Sequence, residues 1–256
     1  MYSVVIPSLG RLEYLNELLS SIEKQTLEPQ EVLLLLDDND HCRTISHEIR
    51  QLAGLRIILC PGMNLAQKRN FGSAIAHTEA LVFSDDDDLW APTRGAAVVN
   101  ALVDFGACCH NYGKFGAEVG SSLSHLGQKD RTIGFKELLQ GANIFGGGSS
   151  IAARRAVVQV LPFSPEFRYC EDFEWWVRIV KSSVKVCYLG ETLVSYRTHS
   201  TNMTGSVFSI VRFNFLLIGQ LLTQALMVLG VACAILAQTM LLCFSLGVAK
   251  LRWWTK

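Results

Sequence analysis

Over the first hundred positions, apolar residues alternate between short unbroken runs and helical spacing. Val4–Ile6, Val32–Leu36, Leu55–Leu59 and Leu81–Phe83 are continuous runs of strand length. Between them, Leu12, Leu15, Leu18, Leu19 and Ile22 recur on one helix face, and Arg43–Leu52 and Ala66–Ala76 read as two further helices. Unbroken apolar strands separated by helices predict an α/β fold whose mostly parallel sheet is covered on both faces. In such sheets ligands gather beyond the carboxyl ends of the strands. Pro7–Arg11, Asp37–Asp40 and Asp85–Asp88 all fall there.

The pattern changes near residue 105. Ala107–Tyr112 reads as a strand and Gly113–Arg131, rich in Gly and Ser, as a flexible loop. Phe135–Gln140 is a short helix, Glu171–Val180 a Trp-rich amphipathic helix, and Lys185–Tyr188 and Leu193–Tyr196 are strand candidates. Three segments follow: 1–104, 105–206, and a tail over 207–256.

The tail is the compositional break. Phe213–Ala249 holds no charged residue over 37 positions, enough for a helix of about 55 Å against a bilayer core of roughly 30 Å. Trp253 and Trp254 beside Lys250, Arg252 and Lys256 resemble an interfacial anchor. A hairpin keeps both basic flanks on the cytoplasmic side, whereas a single tilted crossing fits the length but exports Lys250 and Arg252. The expected site of action is the cytoplasmic face of an inner or plasma membrane. No leader is expected before the first strand.

Lys+Arg and Asp+Glu both total 23, so no basic field points to nucleic acid. None of the eight cysteines forms a CxxC pair and several sit in apolar runs, which fits reduced, packed thiols in a reducing compartment.

Ser84 and the four carboxylates Asp85–Asp88 follow an apolar strand. Like charges this dense repel one another unless a cation sits among them. Strand alternation puts Asp85 and Asp87 on one face and turns Asp86 away. Two such carboxylates suit a hard divalent cation that clamps a diphosphate. The plainer alternative is a solvated acidic loop ahead of a helix beginning near Pro92.

With these pieces in order, the chain resembles the family 2 glycosyltransferases with the GT-A fold, a Rossmann-like architecture. The matching residues are Val4–Val5–Ile6–Pro7–Ser8 with Arg11, Asp37–Asp38–Asn39–Asp40, Arg69–Asn70–Phe71–Gly72, and Phe83–Ser84 with Asp85–Asp88 and Pro92. Glu171–Asp172 ahead of Trp175–Trp176 and Arg178, then Tyr196–Arg197–Thr198–His199 with Asn202, complete them. Leu9–Gly10 departs from the family, which often has an aromatic residue and Asn there, and Asn39 stands where Gly is usual.

The resemblance implies a nucleotide-sugar pocket lined by Pro7, Ser8 and Arg11, with Asp37 accepting from a uracil imide or a ribose hydroxyl. Asp85 and Asp87 read as the DXD motif: Asp87 holds Mn²⁺ or Mg²⁺, and Asp85 touches the ribose or a water on the metal. His199 is the third contact to metal or diphosphate, Arg197 adds positive charge, and Arg69 reaches a phosphate. Asp172 is implied as the base of an inverting displacement, with Glu171 holding the acceptor or its loop.

Each residue also has an ordinary structural reading. Arg11 and Arg69 could be solvated helix charges, Asp37 an Asx-type turn, and Glu171–Asp172 a complement to a helix dipole. A lone His is commonly structural, as is expected for His110. Trp175 and Trp176 either pack in the core or stack on a sugar. Gly146–Gly147–Gly148 lacks the Lys of a phosphate loop and reads as a close-approach loop.

The implied activity is metal-dependent transfer of a sugar from a nucleotide donor, UDP-linked by expectation, to a hydroxyl of a lipid-linked or surface glycan. Two rivals are a polyprenyl-phosphate sugar synthase and an inactive sugar-nucleotide-binding membrane protein.

Overall fold

The four apolar runs form β1 (Tyr2–Ser8), β2 (Glu31–Asp37), β3 (Leu55–Cys60) and β4 (Ala80–Phe83), paired in parallel in the order β3–β2–β1–β4. In the computed structural model, residues 1–117, 120–121, 127, 129–134, 137 and 147–199 are described. The chain divides into Met1–Gly205 and Ser206–Lys256. The apolar tail, most of Phe135–Gln140, Gly146, Asn202, Cys233 and Cys243 lie outside the described residues. Among the described residues no helix is long and apolar enough to cross a membrane, and their six cysteines are free thiols.

Alternation along β1 and β2 divides the core. Val4, Ile6, Val32 and Leu34 face α1 (Leu12–Glu23), whose Leu15, Leu18, Leu19 and Ile22 are fully buried. Val5, Leu33 and Leu35 face the opposite layer. There α3 (Leu65–Ile75) packs, started by a capping box in which Asn64 and Gln67 satisfy each other's backbone N–H. Between them, α2 (Asp40–Ile45) is shorter than the periodicity predicts. Ser46 donates its hydroxyl to the Arg43 carbonyl at 2.7 Å, a local bond that competes with helix continuation.

The second half departs further from expectation. The described elements are β5 (Leu89–Trp90), α4 (Arg94–Ala101), β6 (Ala107–Gly116), β7 (Gly120–Ser121), β8 (Arg131–Ile133), β9 (Ala152–Arg154), α5 (Arg155–Val160), α6 (Glu171–Lys181) and β10 (Val186–Thr198). Gly113–Gly116, expected in a loop, extend β6. The two runs around Leu189 and Val194 form one strand, because register shifts near Thr192 let β10 stay paired with β6 across Gly190–Glu191. β9 lies antiparallel between β4 and β6. The sheet as a whole is therefore mixed, and the parallel expectation holds for its first four strands.

Because β9 opposes both neighbours, β6 and its parallel partner β10 run the same way as β4. The carboxyl ends of β1, β2, β4, β6 and β10 thus share one edge, where Ser8, Asp37 and the acidic run Asp85–Asp88 lie.

Close packing of α3 on the sheet depends on Gly72. A Cβ at this position would lie 2.6 Å from Val5 Cγ1 and 3.0 Å from Leu35 Cδ1. Overpacking a core costs about 1–3 kcal/mol, against a helix-propensity gain of about 1 kcal/mol for Gly to Ala. The clash wins, since both neighbours are fully buried. Gly72→Ala is expected to lower the urea midpoint of unfolding at unchanged m-value.

Candidate active site

At the end of β1, the Ser8 hydroxyl donates to Asp86 and accepts from Gly10 N–H at 2.9 Å. Pro7 is buried one residue earlier. Lys68, reaching up from α3, bonds to the Ser8 carbonyl at 2.7 Å and to the Asp37 carboxylate at the end of β2. Asp37 keeps a side chain one-third exposed toward the crevice. Arg11 sits beside this pair. Its Nη2 pairs with Asp86, and its Nη1 lies 2.8 Å from Asp87 Oδ2 and 3.0 Å from His199 Nε2. His199 Nε2 is also 2.9 Å from Asp87 Oδ2.

This corrects the reading of the acidic run by strand alternation. β4 ends at Phe83 and the carboxylates lie on a turn, so strand periodicity does not apply. Asp86 is buried against Ser8 and Arg11 instead of facing away, while Asp85 and Asp87 reach different cations. Burial, with Asp85 close by, pushes the Asp87 carboxyl above its ordinary range although Arg11 opposes the shift. Asp88 is fully buried, accepts from Arg197 N–H at 2.9 Å, and is raised further, again chiefly by burial.

Arg69 is neither solvated nor free to reach a phosphate. It is 1% exposed and bridges Asp85 at 2.9 Å and Glu171 at 2.6 Å. The close-approach loop meets it: a Cβ on Gly148 would sit 1.9 Å from Arg69 Nη2 and 2.6 Å from Asp85 Oδ1. Ser149 Oγ accepts from Asp85 N–H at 2.8 Å. On the far side, Cys170 in a left-handed conformation (φ 58°) starts α6, and Glu171 and Asp172 occupy its first turn. Burial first, then the neighbouring Glu171, push the Asp172 carboxyl up to about 7 against the pull of Arg69. Trp175 and Trp176 are both fully buried, so neither offers a face to a sugar. Trp175 stacks on Phe163 at 4.9 Å and donates to the Leu161 carbonyl.

Beneath the acidic turn lies a layer absent from the sequence reading. Arg94, fully buried at the start of α4, donates to the Phe83 and Ser149 carbonyls and to His110 Nε2, and packs 3.9 Å from the Trp90 ring. Trp90 Nε1 donates to Ser84 Oγ. His110 is structural as expected; burial and then Arg94 lower its pKa to about 3, so it stays neutral. Arg197 donates to the Asp87 carbonyl at 2.7 Å, pairs with Glu17, and lies against Tyr14 and Phe115.

A cation fits part of this donor set. Among the described residues no three His, Cys, Asp or Glu side chains are grouped as metal ligands. Asp87 and His199 nevertheless direct hard-cation donors at one point, where the positive Arg11 Nη1 stands.

The architecture is that of a known enzyme class. Residues 3–161 match the model of glycosyl transferase family 2, and the chain belongs to that family and is a glycosyltransferase. It is 22% identical over 232 residues to WfgD of Escherichia coli, a UDP-Glc:alpha-D-GlcNAc-diphosphoundecaprenol beta-1,3-glucosyltransferase, covering 88% of each chain. An uncharacterized glycosyltransferase of Haemophilus influenzae is 23% identical over 78% of this chain and 69% of its own. Among solved structures, S. aureus TarS in complex with UDP-GlcNAc shares the fold at a TM-score of 0.66 and 19% identity. That match covers 80% of this chain but spans 61% of the TarS chain.

Removing one partner from a buried ion pair costs about 3–5 kcal/mol, because the charge left behind is stranded. Arg69→Met strands Glu171, whose side chain is 7% exposed, and the more accessible Asp85. Denaturant unfolding of Arg69→Met is expected to show a loss near the lower end of that range, with part of it restored in the Arg69→Met/Glu171→Gln double variant.

Proposed function

We propose that this glycosyltransferase is metal-dependent and inverting, and moves a sugar from a UDP-linked donor to a hydroxyl of a lipid-linked or surface glycan. The observation that carries the reading is the buried bridge by which Arg69 ties Asp85 of the acidic turn to Glu171, beside Asp172. Burial and Glu171 raise the Asp172 carboxyl to about 7. A general base works best when its pKa lies near the working pH. The donor class and lipid-linked acceptor printed in the name of WfgD support the same assignment.

In this reading Ser8, Pro7 and Asp37 line the nucleoside end, with Lys68 fixing the Asp37 carboxylate. Asp85, held by Arg69, faces the ribose, and Arg197 adds positive charge beside Asp87. Mn²⁺ or Mg²⁺ held by Asp87 and His199 would supply Lewis-acid neutralisation of the diphosphate. Asp172 accepts the proton of the acceptor hydroxyl as its oxygen bonds to the anomeric carbon. The bond from that carbon to the diphosphate oxygen breaks on the opposite side, and the electron pair leaves with the nucleotide. One displacement inverts the anomeric configuration. Glu171, fixed by Arg69, holds the start of α6 in place.

Residues 207–256 are proposed to anchor the domain at the cytoplasmic face of the inner or plasma membrane, where a lipid-linked acceptor is confined. The long uncharged stretch and its Trp and basic flank support this.

The test is nucleoside-diphosphate release from a panel of sugar nucleotides by the purified chain in detergent, with Mn²⁺ or with EDTA. Release with one donor, abolished by EDTA, is the expected result. Binding without metal-dependent turnover in the presence of acceptor would favour the inactive binding protein.

The pH dependence follows from the sign of the Asp172 shift. A base acts only when unprotonated, and its protonated fraction grows as pH falls through about 7. The expected kcat/KM profile therefore declines on the acid side of neutrality and levels above it. Asp172→Asn is expected to lower kcat by about 10²–10⁴-fold and to remove that acid limb. Near-normal turnover in Asp172→Asn would instead indicate an acceptor that needs no base, such as a lipid phosphate.

A further inference from the structure

Arg11 stands where an incoming cation has to go. Its Nη1 lies 2.8 Å from Asp87 Oδ2 and 3.0 Å from His199 Nε2, and its Nη2 pairs with the buried Asp86. We propose that Arg11 is a resident counter-cation which a divalent metal displaces, so that metal and nucleotide enter the site as coupled ligands. The proposal rests on the metal-dependent reading above.

Exposure singles out Arg11 among the cations around the acidic turn. Arg69 is fully enclosed between two carboxylates, and Lys68 is 3% exposed. Arg197 is held by the Asp87 carbonyl and two aromatic rings at 4.4 and 4.5 Å. The Arg11 side chain, by contrast, is 31% exposed and lies 5.8 Å from the Tyr14 ring. It is fastened at its tip and is the most exposed of the four.

The arrangement at His199 is also internally mismatched. One ring nitrogen faces both a carboxylate and a guanidinium. That nitrogen offers either a hydrogen or a lone pair, so it can satisfy Asp87 or Arg11 and not both. A hard cation in place of Arg11 Nη1 accepts electron pairs from both Asp87 and a bare Nε2, which removes the conflict. The freed guanidinium then matches the charge and fork geometry of a diphosphate. Without a nucleotide, Arg11 loses its partners on leaving; with one, it exchanges carboxylates for phosphate. Metal and nucleotide therefore reinforce each other's binding through this side chain, and the effect is reciprocal.

The experiment is a Mn²⁺ titration followed by the EPR signal of the free ion. It uses the full chain in detergent, without and with UDP, for wild type, Arg11→Met, Arg11→Gln and Asp87→Asn. Thermal unfolding checks that each variant is folded, and Arg11→Gln substitutes if Arg11→Met is not. Wild type is expected to bind Mn²⁺ weakly alone and more tightly with UDP. Arg11→Met is expected to bind Mn²⁺ about tenfold or more tighter than wild type without UDP, and to gain less when UDP is added. Unchanged or weaker Mn²⁺ binding by folded Arg11 variants, with binding still abolished by Asp87→Asn, overturns the displacement alone. Absence of Mn²⁺ binding by wild type with UDP, or binding unaffected by Asp87→Asn, overturns the metal-dependent reading and the displacement with it.

Discussion

Too many carboxylates meet at one edge of the sheet, and the structure is organised around their neutralisation. Asp37, Asp85, Asp86, Asp87, Asp88, Glu171 and Asp172 converge where the strands end. Two like charges 4 Å apart repel by about 4 kcal/mol at an effective dielectric of 20, so the cluster cannot form without counter-charge. Lys68 and Arg69 supply it from α3, Arg11 from the start of α1, and Arg197 from the end of β10. Arg69 through Glu171, and Arg197 through Asp87 and Asp88, tie the two halves of the domain together.

Close approach is the geometric counterpart of this balance. α3 presents Ala66, Lys68, Arg69, Gly72 and Ser73 inward. Gly72 lets the helix sit on Val5 and Leu35, and from that depth its two long cations reach the strand ends. Gly148 has the same role from the other side, where its missing side chain leaves room for the Arg69 guanidinium and Asp85. Arg94 fixes the backbone of both walls by binding the Phe83 and Ser149 carbonyls. Neutralisation is incomplete at Asp172, whose carboxyl is raised by burial and by Glu171 despite the nearby Arg69.

The legible parts of the chain were those governed by local periodicity. Unbroken apolar runs bounded by turns located β1 to β4, and the spacing of Leu15, Leu18, Leu19 and Ile22 located α1. The second half was less legible, because β9 has three residues and β5 two, too short for any period. The acidic run was located correctly but oriented wrongly at Asp86, since strand alternation stops where the ladder stops. Lys68 and Arg94 escaped notice because a buried cation looks like a surface one in sequence. The available signal was the inward face of α3, where Lys68 and Arg69 are buried with Ala66, Gly72 and Ser73.

The sequence by itself determined which segments become strands and helices, and that acidic groups gather at the carboxyl edge of the sheet. Those outcomes follow from hydrophobic burial acting on neighbouring residues, and burial leaves a periodic trace in the chain. Only the tertiary structure decided which cation meets which acid. Arg69 joins residues 85 and 171, and Arg11 joins residues 86, 87 and 199. Such pairings depend on strand order and on how deeply each helix packs, and charge alone does not select among partners that are all oppositely charged.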